Sequence, residues 1–137
     1  MWWLYALLSA FFAALTAILA KVGIKGVNTD LATAIRTSVI LFITWGIAFI
    51  RGGTAGITTL SKPNLLALGL SGIATGLSWI FYFKALQLGK VSQVASVDKL
   101  SVALAIILSV IFLGESLTWK EAAGAALIIA GTIILIL

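Results

Sequence analysis

Five stretches of this chain are each long and apolar enough to cross a lipid bilayer, and no other feature constrains its fold as much. A spanning helix takes ~20 mostly apolar residues. Such runs cover about Trp2 to Ala20, Leu31 to Ile50, Leu65 to Leu88, Val91 to Leu113 and Trp119 to Leu137. Lipid offers the backbone no water, so each run must close its hydrogen bonds on itself as an α-helix. Composition agrees: 9% of the residues are charged, against about 25% in soluble domains, and the mean hydropathy is +1.22. The expectation is an all-α integral membrane protein, a bundle of five transmembrane helices forming a single domain over residues 1–137.

The links are short: "KVGIKGVNTD", "RGGTAGITTLSKPN", "GK" and "GESLT". Links of this length make successive helices antiparallel neighbours. Pro63, the single proline, reads as a link residue, and Ser61 or Asn64 as the cap of the third helix. The first run lacks the positive n-region of a secretory signal, so it reads as a retained span.

Several function classes are excluded early. The formal net charge is +5, but the basic residues are scattered singly, which argues against nucleic acid. With no Cys and no His, there is no disulfide, no thiol chemistry and none of the commonest zinc ligands, so no metal site and no cofactor are expected. The acids are Asp30, Asp98, Glu115 and Glu121. None stands in an HExxH, GxSxG or P-loop context, so the chain does not read as an enzyme.

Orientation is set mainly by the Lys and Arg bias between faces. The face holding the N-terminus carries Arg51, Lys62 and Lys120. The opposite face carries Lys21, Lys25 and Lys90 in links, with Arg36 and Lys84 inside helix ends. Arg36 and Lys84 tip the balance mildly toward a cytoplasmic C-terminal face. This near-balance fits a small protein of one orientation, and it fits a chain that inserts both ways and pairs with an inverted copy.

Small residues recur at helical spacing. Ala6, Ala10, Ala13, Ala17 and Ala20 mark the first span, and Gly69, Gly72 and Gly76 the third. Ser101, Ala105 and Ser109 mark the fourth, with Gly124 and the Ala122, Ala126, Ala130 line on the fifth. In lipid, helices associate through close backbone approach, so Gly72, Gly76, Ser101, Ser109 and Gly124 read as packing positions.

The charged residues inside the spans are the candidate site. Arg36 lies ~7 Å into the second span, Lys84 about as far from the end of the third, and Asp98 ~10 Å into the fourth. Antiparallel threading puts all three near one membrane face. Asp98 and Lys99 are ~100° apart on a regular helix, so they should not share a direction. Lys and Arg can snorkel to the interface. Asp98 is too short to do so and must be paired, protonated or facing water. Arg36, Lys84 or a hydroxyl is the expected partner. The bases outnumber the acid, which suits an anion or the carboxylate of a zwitterion. Trp2, Trp3, Tyr5 and Trp119 read as an interfacial belt. Trp79 lies ~15 Å from Gly89, too deep for the belt, and is either filler or the wall of a substrate cleft.

The stretch "LGESLTWKEAAGAALIIAGTIIL" resembles the end of an EamA-type repeat of the drug/metabolite transporter superfamily. Leu113, Gly114 and Glu115 match its Leu-Gly-Glu helix end, and Gly124 and Gly131 its last-helix glycines. "SGIATGLSWIFYFKALQLG" is similar to the third helix of that repeat, and "AIRT" and "VDKLS" to the small single-repeat members. Many larger relatives carry Pro where "DKLS" stands. The resemblance implies one EamA-like repeat and transport; with the excess of bases around Asp98, the expected activity is secondary transport of a small polar or anionic metabolite, of the amino-acid or organic-anion class, by alternating access across the cell membrane. Larger members join two five-helix repeats in inverted orientation, so it also implies an antiparallel homodimer. In this reading Arg36, Lys84 and Lys99 attract substrate, Asp98 holds the bases or carries a coupling proton, Trp79 lines the path and Glu115 orders a turn. The rivals are a multidrug cation exporter, which would want an unpaired intramembrane acid, and a non-transporting membrane assembly subunit.

Overall fold

The computed structural model describes residues 1–137 and is helical almost throughout. Its elements are α1 (Trp2–Gly23), α2 (Thr29–Ile50), a 3₁₀ segment (Gly53–Thr59), α3 (Lys62–Leu88), α4 (Val91–Asp98), α5 (Leu100–Leu108), a π-helical segment (Ser109–Leu113) and α6 (Trp119–Ile136). By length and composition, α1, α2, α3, the stretch Val91–Leu113 and α6 are five candidate membrane spans. The 22 residues of α2 rise ~33 Å, enough for a hydrocarbon core of ~30 Å. This is an all-α, multi-pass architecture.

Helix starts follow cap chemistry more closely than hydropathy. The second helix begins at Thr29, ahead of the apolar run at Leu31, because Asn28 Oδ1 accepts the Asp30 and Leu31 N–H groups at 2.8 and 3.1 Å. The third begins at Lys62, because Ser61 Oγ accepts the Asn64 N–H at 3.3 Å. Pro63 therefore sits in the first turn of α3 and not in the link, at a position where its missing N–H has no helical partner to lose. Thr118 and Glu121 form a reciprocal capping box on α6: the Glu121 N–H reaches Thr118 Oγ1 at 3.3 Å, and the Thr118 N–H reaches Glu121 Oε2 at 2.8 Å. The π segment closes at Gly114, whose φ of 68° suits a residue without Cβ.

Contacts divide the chain into two compact units, Ala20–Gln87 and Met1–Leu19 with Leu88–Leu137. In the first, the end of α1 and the α1–α2 link are tied to the end of α3. Ile24, Phe83 and Leu86 are fully buried there, and Ala20 nearly so. The Lys21 ammonium donates to the Leu86 carbonyl, which satisfies one of the orphan acceptors of the α3 C-terminus. The Gln87 amide donates to Ile24 O at 3.1 Å and Val27 O at 2.9 Å. In the second unit, α4 and α5 pack on α6. Ala103 is buried, and so is Thr132, whose hydroxyl donates to Ser96 O at 3.0 Å.

The Gln87 clasp yields a stability prediction. Gln87→Leu keeps the apolar stem but removes the donor from two link carbonyls. An abandoned acceptor costs about 1–3 kcal/mol, so chemical unfolding in detergent should show a loss of that size. An unchanged midpoint would mean that lipid headgroups or water replace the amide without cost.

Candidate functional site

Arg36 is the best-defined intramembrane charge. Trp79 and Phe83 lie four residues apart on α3 and therefore on one face. The Arg36 guanidinium carbon sits 4.2 Å from the Phe83 ring centroid and 5.5 Å from that of Trp79. Such stacking stabilises a desolvated cation by up to about 2 kcal/mol. It does not saturate the fork of N–H donors, and Arg36 Nη1 is buried without a hydrogen-bond partner. An orphan donor of this kind costs ~1–3 kcal/mol. Trp79 is thus a stacking partner of an intramembrane cation. Phe83, the nearer ring, is the residue that sequence reasoning left out of the site.

Next to Arg36 along α2 is a stripe of hydroxyls, Thr29, Thr33 and Thr37 at four-residue spacing, with Ser38 beside it. Three of these hydroxyls donate to the helix backbone: Thr33 to Thr29 O at 2.8 Å, Thr37 to Thr33 O at 2.8 Å and Ser38 to Ala34 O at 3.0 Å. With its proton so engaged, each oxygen has only acceptor capacity left. Thr33, Thr37 and Ser38, with Asp30, line one side of an open groove of about 380 Å³, and Gly76 and Ile80 of α3 line the other. Sequence reasoning missed this stripe, although its i, i+4 spacing was legible.

Asp98 has its ion pair with Lys99, 3.4 Å from Oδ2 to Nζ. Residues ~100° apart on a regular helix were not expected to meet. The helix is not regular here. The Lys99 N–H bonds Ser96 O at 3.1 Å and the Val102 N–H bonds Lys99 O at 3.0 Å, each three residues back. This tightened step separates α4 from α5, and the long lysine chain folds back across it. The pair is partly exposed, with the lysine side chain 58% and the aspartate 37% accessible. Lys84, one residue past Phe83 on α3, is exposed.

The packing positions read from the sequence lie differently. A Cβ added to Gly72, Gly76 or Gly124 would meet no atom within 4 Å. Gly76 borders the groove, and Gly124 lies on the half-buried face of α6 that carries Ile128 and Thr132. Ser101 and Ala105 are exposed, whereas Ala103 is the buried residue of α5. Ala103 faces the opposite side of α5 from Ser101 and Ala105, at ~100° per residue. Ser109 opens the π segment and donates to Ile106 O at 2.9 Å. Glu115 uses its backbone N–H to reach Ser109 O at 3.3 Å, and the acid with a defined side-chain role in this region is Glu121.

Comparison with known proteins adds two findings. The family model described as the EamA-like transporter family matches residues 1–137. A protein of Sinorhizobium sp. named "uncharacterized transporter in cobO 3'region" is 47% identical over 134 residues, covering 98% of this chain and 95% of that protein. No solved structure matches the chain.

The orphan donor separates function from stability at one position. Arg36→Met keeps apolar volume over the rings and removes both the buried charge and the unpartnered N–H. Its unfolding midpoint in detergent should equal or exceed that of the native protein, as happens when a functional group is held at the expense of stability. A fall of 2 kcal/mol or more would mark Arg36 as structural.

Proposed function

The chain belongs to the EamA-like transporter family, and on that premise we propose that it carries a small polar or anionic metabolite, of the amino-acid or organic-anion class, across the cell membrane. The observation that carries this reading is the Arg36 guanidinium, backed by Trp79 and Phe83 with one buried N–H unpartnered. A planar donor held on rings and short of an acceptor suits a carboxylate or similar oxyanion. The acceptor oxygens of Thr33, Thr37 and Ser38 in the adjacent groove suit the donor groups of the same small molecule. Lys84 adds positive field at the same end of α3, and in its own unit Asp98, paired with Lys99, carries a coupling proton or holds that base.

Transport would proceed by alternating access without covalent chemistry. The partner would be a second copy in inverted orientation. Two things support this: the equal count of Lys and Arg in the links of the two faces, and a span number equal to one repeat of the ten-helix members. The open surface at Gly72 and Gly76 leaves room for a neighbouring backbone, as association in lipid requires.

The direct test is flux by purified protein in liposomes, screened against labelled amino acids and organic anions. Arg36→Met and Trp79→Leu should each cut flux of the accepted substrate at least tenfold, and Arg36→Lys should restore it only in part. Full flux in Arg36→Met would remove the site assignment. Efflux of lipophilic cations alone would favour an exporter of that class. For the assembly, single cysteines at Lys62 and at Lys90 should both label from outside intact cells. Labelling at one position only would rule out dual topology. Gly76→Leu should leave helix content and monomer unfolding unchanged and weaken cross-linking between copies, since the added side chain meets open space in its own chain.

A further inference from the structure

We propose that Thr132 is a positioning residue for the Asp98–Lys99 charge pair, a role resting on the transport reading in which that pair faces substrate or a coupling proton. Two hydrogens converge on one oxygen. Ser96 O accepts the Lys99 N–H at 3.1 Å, three residues ahead on its own chain, and the Thr132 hydroxyl at 3.0 Å from α6. A carbonyl has two lone pairs, so both are taken. An ordinary helix would give this carbonyl the N–H four residues on. With the carbonyl held by Thr132 and drawn to Lys99, the helix tightens at this point instead.

Two neighbouring observations point the same way. The Ser96 hydroxyl donates back to Ser92 O at 2.6 Å, the kind of back-bond that bends helices. Thr132 is only 4% exposed, on a span otherwise rich in residues that cannot donate, so its hydroxyl is a placed group and not a solvated one. Non-helical backbone at membrane depth persists where protein re-satisfies it, and broken spans of transporters carry their ion and substrate sites. Asp98 and Lys99 stand at the break itself. The tightened step lets the Lys99 ammonium fold onto the Asp98 carboxylate at 3.4 Å. Thr132 therefore acts on the pair through the Ser96 carbonyl without touching either charge.

The test reads Asp98 directly and needs no knowledge of the substrate. A hydrophobic carbodiimide is applied to the full-length protein in liposomes, and the modified fraction of Asp98 is followed by peptide mass, with Glu121 as internal reference. Thr132→Val removes the donor at equal size. It should regularise the helix, release the carboxylate from Lys99 and speed Asp98 modification at least threefold, toward the rate in Lys99→Met. Thr132→Ser keeps the donor and should match the native rate. Should the valine protein fail to fold, Thr132→Cys, a weak donor, should give an intermediate rate. An unchanged rate in the valine or cysteine variant, or a serine rate equal to the valine rate, overturns the proposal. Flux is measured on the same preparations. Lost flux with unchanged Asp98 modification overturns the positioning role and leaves transport standing. Altered modification in a protein that moves no amino acid or organic anion upholds the positioning role and removes the transport reading.

Discussion

Backbone hydrogen bonds without water organise this protein. In hydrocarbon an unsatisfied N–H or C=O costs several kcal/mol, so each span must be a helix and each irregularity must find its own partners. The structure meets this demand locally. Asn28, Ser61 and Thr118 take the orphan donors at helix starts. Lys21 and Gln87 take orphan carbonyls where α1 ends and α3 ends. Where the fourth span departs from regularity, Thr132 is the donor that completes the account.

Charge obeys the same rule with different means. Asp98 uses the adjacent Lys99, at a point where the backbone has been tightened to permit it. Arg36 uses the faces of Phe83 and Trp79, which lower the cost of a cation but accept no directed hydrogen bond. The two solutions leave different residues of reactivity. The Asp98–Lys99 pair is neutralised and partly exposed, while Arg36 retains a donor with nothing to bind. Under the transport reading proposed above, the unfilled donor of Arg36 is the group held in reserve for cargo.

Glycine plays a part here that its spacing alone does not reveal. Gly72 and Gly76 form a GxxxG pattern, yet no atom approaches where their Cβ atoms would be. Small residues in a span permit a close neighbour without naming it. The buried small residues are instead Ala17 and Ala20, the end of the alanine line of the first span, and Ala103, which lies on no such line.

The amino-acid sequence by itself determined the all-α, five-span architecture, because hydropathy over ~20 residues is a sum that no single contact can reverse. It also carried the cap signals, N-T-D before α2 and T-W-K-E before α6, which act within one turn of chain. Arg36 and Trp79 were legible as candidates because a charge or a large ring at depth is costly wherever it points. Tertiary structure decided the rest. Which ring lies under Arg36, which residue pairs with Asp98 and which side of each span is covered depend on helix azimuth. In the fourth span a tightened step at Lys99 and a π segment at Ser109–Leu113 reset that azimuth. At the Lys99 step a hydroxyl 36 residues away on α6 meets the Ser96 carbonyl, and spacing along the chain holds no record of a bond made across space.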